Sequence, residues 1–378
     1  MEVIDFMIKK LCSIFAAVML AIPSGTCYAE EIAGISAKSY VLMEKNTGKI
    51  IYEKNSETKL PMASTTKIMT TLLCLESGDL DTEFTVDPEA IKTEGSSMGL
   101  TEGDIVSKRD LCIGMLLPSG NDAANAAAVR IGGSIENFAK LMNSRAAEIG
   151  MTRTYFVTPS GLEAEGHGAS SRDMALLARE ALRNEDFTEI CSKSTMELSF
   201  GNPPYRRWLK NTNKLLKQCD GVYGVKTGFT DEAGRCLVSA CEREGISLIC
   251  VTLNDPNDYH DHALLYDTGF KQLEKYTVPP ETYTVDVVGG EKETVNLQPL
   301  GSVSMGIVKG EIPDIEVKLS IKHFMYAPVE KGTYAGKAEY FTDGMLIGTT
   351  ELYTAEQCMI KMPPKDKNII DKILELLK

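Results

Sequence analysis

Four histidines and one tryptophan among 378 residues leave little material for several kinds of site. No Cys-x-x-Cys pair and no Cys/His cluster at zinc spacing occurs, which argues against a metal centre. Positive charge is in deficit too. Forty Lys and Arg against 53 Asp and Glu give a formal net charge of −13, whereas a nucleic-acid partner normally requires a basic face. The apolar run near the N-terminus, Leu11 to Ile22, is too short to span a bilayer. With 43% hydrophobic and 25% charged residues the balance is that of an ordinary globular protein, neither disordered nor multi-span membrane.

What is present begins with an address. Lys9 and Lys10 precede that apolar run, and small residues lead up to Ala29. This is the pattern of an export signal cut after Ala29, so residues 1–29 are expected to be removed and the protein to act outside the cytoplasm. Of the 10 cysteines, Cys12 and Cys27 fall in that segment. The others (Cys74, Cys112, Cys191, Cys219, Cys236, Cys241, Cys250, Cys358) are scattered among apolar neighbours and read as buried small hydrophobes rather than a disulfide framework.

The length suits two domains. A hairpin is expected over Ser39 to Glu53, turning at Asn46-Thr47-Gly48, followed by helices at Ile68–Leu73, Leu111–Leu117, Ala123–Ile131, Ile135–Ile149 and Met174–Leu182, the last capped by Ser171-Arg172-Asp173. Strands follow at Gly221–Thr230, Cys236–Cys241 and Ile246–Leu253, then a helix over Asp258–Leu273. From Tyr276 to about Met362 short alternating runs between glycine turns predict a small all-β sandwich. The expected layout is therefore a catalytic domain over 30–275, a β domain over 276–362 and a tail over 363–378. Ile369, Ile370, Ile373, Leu374, Leu376 and Leu377 give that tail one apolar helical face, which could lie on a membrane surface or pack on the β domain.

Three short patterns carry chemistry. Ser64-Thr65-Thr66-Lys67 opens an apolar helical run, so both polar side chains share one face about a turn apart. A hydroxyl beside an amine at a helix start is an activated nucleophile, or else an N-cap beside a solvated lysine. Ser119-Gly120-Asn121 lies on a turn between two helices, with Gly120 expected to supply its tight geometry. Lys226-Thr227-Gly228 lies on a strand, where Gly228 permits close backbone approach.

In that order and those contexts, Ser-x-x-Lys, Ser-x-Asn and Lys-Thr-Gly form the joint signature of serine β-lactamases and penicillin-binding proteins. Together with Asn211-Thr212-Asn213-Lys214-Leu215-Leu216 and Ala233-Gly234-Arg235-Cys236-Leu237, they closely resemble the D-alanyl-D-alanine carboxypeptidases among the low-molecular-mass penicillin-binding proteins. The resemblance spans roughly Ala37 to Leu273 and continues more weakly beyond. It implies an α/β (α+β) domain with an antiparallel sheet flanked by helices, no cofactor, β-lactam inhibition, and substrates that are peptidoglycan stem peptides ending in D-Ala-D-Ala. It also implies the roles. Ser64 is the nucleophile and Lys67 a neutral general base, depressed by burial beside Lys226. Ser119 relays the proton, and Asn121 holds Lys67 and the substrate. Lys226 and Thr227 receive the terminal carboxylate, with Gly228 beside them, and the backbone N–H groups of Ser64 and Phe229 form the oxyanion hole. His167 falls in a loop where the family often has a histidine and joins the substrate-binding set, although Gly166-His167-Gly168-Ala169-Ser170 departs from the family's pattern.

Rival readings remain at this level. A secreted β-lactamase would need a deacylating carboxylate; Glu163 and Glu165 lie in the relevant region but outside the Glu-x-x-Leu-Asn pattern. A muropeptide endopeptidase would use the same residues. A non-catalytic β-lactam sensor or wall-binding protein would have no need of all three motifs.

Overall fold

The computed structural model describes residues 32–362. The expected export signal (1–29) and the tail (363–378) lie outside the described residues.

Five strands form one antiparallel sheet: β1 (Ser39–Glu44), β2 (Ile50–Lys54), β3 (Val222–Thr230), β4 (Gly234–Arg243) and β5 (Ile246–Leu253), in the order β2-β1-β5-β4-β3. Every residue of β1 and β5 is buried, because both faces of the sheet are covered. Alternate side chains divide between the two faces, as the strand period of two requires. Val41, Met43, Val238, Ala240, Ile249 and Val251 enter the larger core with the helices α1 (Lys67–Glu76), α2 (Lys108–Leu116), α3 (Asn121–Gly132), α4 (Ile135–Ile149) and α5 (Ser171–Ala181). Tyr40, Leu42, Leu237, Cys241, Leu248 and Cys250 turn the other way and pack with Leu265 and Tyr266 of α6 (Asp258–Gln272). Helices therefore sandwich the sheet, the α+β arrangement expected. All eight described cysteines are free, and seven of them are buried.

Local chemistry sets the helix ends. Ser107 and Asp110 form a reciprocal capping box at α2. At α5 the cap is Ser170, whose hydroxyl accepts from Asp173 N–H, one residue earlier than the Ser171 expected. A two-stranded ribbon, Thr195–Gly201 with Pro204–Lys210, was not anticipated. Its first strand does alternate, with Met196, Leu198 and Phe200 turned inward between Thr195, Glu197 and Ser199, but the second interrupts the pattern with Arg207 opposite Leu198 and Trp208, two-thirds exposed, on the open face.

The C-terminal part is all-β among the described residues. A six-stranded sheet and a ribbon pairing Leu273–Thr277 with Ser304–Val308 enclose one core that includes Val285, Leu297, Met305, Ile307, Ala338 and Leu352. The ribbon also touches the first domain: Gly306 N–H donates to the buried Glu44 carboxylate at 3.2 Å, and Asn46 Nδ2 donates to Ser304 O at 2.9 Å.

Candidate active site

Ser64 lies in a 3-10 turn, Ala63–Thr66, that runs directly into α1. No side chain caps the turn, so the cap reading of Ser64 does not apply. The surface-lysine alternative is excluded as well, since Lys67 is fully buried. Its Nζ stands 2.9 Å from Ser64 Oγ, 2.6 Å from Asn121 Oδ1 and 2.6 Å from Ser160 O. None of these is a carboxylate. An ammonium there would be stripped of water without a hydrogen-bonded counter-ion. Burial accordingly pulls the Lys67 pKa well below 10.5, the charge of Lys226 pushes it the same way, and Asp122 opposes both.

Asn121 is the first residue of α3, and both ends of its amide are engaged: Oδ1 faces Lys67 and Nδ2 donates to Glu94 O at 2.7 Å. The neighbouring Asp122 is buried and accepts from Ser97 Oγ and from the N–H groups of Met98, Gly99, Leu100 and Ala123, pinning the 97–100 loop beside the motif. The turn itself differs from expectation. Ser119, not Gly120, takes the left-handed conformation (φ 67°), while Gly120 has φ −57°. Gly120 answers to space instead, because a Cβ there would stand 2.9 Å from Met98 N and 3.1 Å from Gly114 O. Ser119 is nearly buried and is not among the hydrogen-bond partners of Lys67.

The third motif lies on β3, at the edge of the sheet. Lys226 is buried, donates to Thr227 O at 2.8 Å, and is pulled down to about 7 by desolvation. Thr227 Oγ1 shares a 2.6 Å hydrogen bond with Thr212 Oγ1. A Cβ on Gly228 would stand 3.1 Å from each of Met62 O, Ser64 N and Thr65 N, so the strand lies directly against the nucleophile turn. Phe229 projects outward, 63% exposed.

His167 sits behind the motif. Its Nδ1 accepts Val157 N–H at 3.0 Å and its Nε2 is 2.9 Å from Thr66 Oγ1; burial and Lys59 lower it to about 4, which keeps it neutral near pH 7. Glu163 is exposed and accepts from Glu232 N–H, and Glu165 is exposed. Ser160, Thr212 and Thr66 escaped sequence reasoning. Ser160 acts through a backbone carbonyl, which no residue type announces, and Thr212 lay inside a stretch valued only for its resemblance.

The family model described as D-alanyl-D-alanine carboxypeptidase matches residues 26–257, more than half the chain. This chain belongs to the D-alanyl-D-alanine carboxypeptidase family. A second model, the C-terminal domain of penicillin-binding protein 5, matches residues 271–358. The chain is 34% identical over 332 residues to the D-alanyl-D-alanine carboxypeptidase DacF of Bacillus subtilis, covering 85% of each. It is 33% identical over 345 residues to DacC of Escherichia coli, covering 86% of this chain and 85% of the relative. Among solved structures, penicillin binding protein 5 of Haemophilus influenzae aligns with a TM-score of 0.62 at 29% identity, over 87% of this carboxypeptidase-family chain and 99% of that one.

Proposed function

We propose that this member of the family is a serine-type D-Ala-D-Ala carboxypeptidase, removing the terminal D-alanine of peptidoglycan stem peptides through an acyl-enzyme on Ser64. Family membership supports the reaction; the threefold engagement of Lys67 carries the assignment of roles. A neutral amine has two N–H bonds and one lone pair. Asn121 Oδ1 and Ser160 O take the hydrogens, which leaves the lone pair facing Ser64 Oγ at 2.9 Å.

Ser64 gives its proton to Lys67 as Oγ attacks the carbonyl carbon between the two D-alanines. Charge develops on the carbonyl oxygen, for which the N–H groups of Ser64 and Phe229 are suited donors. The Lys67 ammonium, destabilised by burial and Lys226, passes its proton through Ser119 to the departing amine, and the C–N bond breaks. Water then attacks the ester with Lys67 again as base, which restores Ser64. Lys226 and the Thr227 hydroxyl receive the substrate's terminal carboxylate; that charge favours the protonated form of Lys226. A β-lactam presents a carboxylate and an acyl carbon to the same groups.

On this reading residues 30–275 are catalytic, 276–362 form the β domain, and 1–29 export the protein to act on the cell wall, where it contributes to wall organisation and cell shape. The apolar face of the tail over 363–378 is read as a peripheral membrane contact, with packing on the β domain as the alternative. The test pairs a fluorescent penicillin with a peptide ending in Lys-D-Ala-D-Ala. The expected result is a persistent adduct and released D-alanine, both lost in Ser64→Ala. Rapid penicillin turnover would point to a β-lactamase, an adduct without D-alanine release to an endopeptidase or sensor, and a labelled Ser64→Ala would remove Ser64 from its role.

A further inference from the structure

We propose that His167 is a positioning residue for the oxyanion hole, acting through Thr66 on the peptide plane that joins Ala63 to Ser64. The proposal rests on reading Ser64 as the nucleophile and its N–H as an oxyanion donor.

Ala63 is unusual for an alanine, with φ at 48° in the left-handed region. Its carbonyl and the Ser64 N–H are the two ends of one planar peptide unit, so whatever holds the carbonyl aims the N–H. Near the start of the turn, that N–H has no helical acceptor and is free to face a substrate. Two neighbours hold the carbonyl. Thr66 Oγ1 donates to Ala63 O at 2.8 Å. The 158–168 loop closes on the same oxygen beside the threonine: a Cβ on Gly161 would lie 2.0 Å from Ala63 O and 2.9 Å from Thr66 Oγ1, so only glycine fits.

His167 orients the threonine. Its Nδ1 accepts the Val157 N–H, which leaves the ring proton on Nε2. The single hydroxyl hydrogen of Thr66 goes to Ala63 O, so Thr66 Oγ1 must accept from His167 Nε2–H. Both ends of the chain demand the same tautomer. Phe156 stands edge-on to the imidazole, with centroids 6.2 Å apart, and fixes its plane. The order of donation is His167 Nε2–H to Thr66 Oγ1, then Thr66 Oγ1–H to Ala63 O. Beyond Ser64 N–H lies Gly228 of the third motif, so a small rotation of this peptide changes the gap in which the carbonyl oxygen must sit.

The test uses the full chain with Thr66→Val, Thr66→Ser, His167→Ala, His167→Gln and the double variant Thr66→Val/His167→Ala. Penicillin acylation rates, kcat and KM for the D-Ala-D-Ala peptide, and inhibition by a peptide boronic acid, which forms a tetrahedral adduct on serine, are measured with thermal unfolding. Thr66→Val and His167→Ala should each lower kcat by roughly ten- to a hundredfold with KM within about threefold. The boronate inhibition constant should rise by the same factor. Thr66→Ser and His167→Gln, which keep the donors, should recover most of the rate, and the double variant should be no worse than the poorer single one. Rates equal to wild type in Thr66→Val and His167→Ala, a loss confined to KM, or multiplying effects in the double variant would overturn the proposal. If Thr66→Val unfolds, the paired comparison of His167→Ala with His167→Gln decides alone. A wild-type protein that takes no penicillin would sink the functional reading itself, and the positioning role with it.

Discussion

Replacing Asn121 by Asp changes almost no volume but puts a carboxylate where an amide oxygen now stands 2.6 Å from Lys67 Nζ. At an effective dielectric of about 20, unit charges at that distance attract by roughly 6 kcal/mol, or about 4 pK units. If relaxation and the repulsion between the new oxygen and Glu94 O remove half of this, about 2 units remain, which moves Lys67 towards its charged form and lowers the neutral fraction available at pH 7. Asn121→Ala loses the hydrogen bond but leaves the lysine uncharged. The account therefore orders the variants against intuition: Asn121→Asp, the closer mimic, should acylate more slowly than Asn121→Ala at pH 7, and the gap should close as pH rises. Stopped-flow acylation by a fluorescent penicillin from pH 6 to 10 reads both rates. An Asp variant faster than the Ala variant at pH 7, or a gap independent of pH, would refute a neutral Lys67.

The pH dependence of stability should carry the mark of Lys226. Burial lowers it from 10.5 to about 7, so between those limits the folded chain holds fewer protons there than the unfolded chain. Its contribution is complete above 10.5 and is lost as pH falls towards 7, at roughly 1 kcal/mol per pH unit. The wild-type stability measured against Lys226→Met by urea unfolding should rise between pH 7 and 9 and stay flat below about 6. Asp122→Ala strands the five donors that its carboxylate now accepts and should cost about 3–5 kcal/mol in the same assay. Gly228→Ala places a methyl 3.1 Å from three backbone atoms of the nucleophile turn. Acylation should slow by about ten- to a hundredfold while unfolding shifts by less than about 2 kcal/mol.

The site was legible where its chemistry is carried by side chains close in sequence. Ser64 and Lys67 are three residues apart, and the Lys226–Phe229 strand announces itself by β-branched and aromatic residues. The groups that complete it were invisible for definite reasons. Ser160 contributes a backbone carbonyl, and the His167–Thr66 contact joins residues 101 positions apart. Gly120 was expected to supply the tight turn because glycine is conformationally free; in the structure the left-handed residue is Ser119, and Gly120 is required by its close approach to Met98 and Gly114. In the fold, the buried helices and strands were readable from period and caps. The 195–210 ribbon was not: its first strand carries the alternation, but the second sets Arg207 opposite Leu198 and exposes Trp208, which hides the pairing.

The central claim is that Ser64 is activated by a lysine that is neutral at working pH. It is tested most directly by the titration of Lys67 itself, followed by NMR of protein labelled with carbon-13 at the lysine ε position, with Lys67→Arg identifying the resonance. The account predicts a midpoint well below 10.5, which rises in Asn121→Asp. A Lys67 that titrates at or above 10.5 in the folded, penicillin-reactive protein would contradict it.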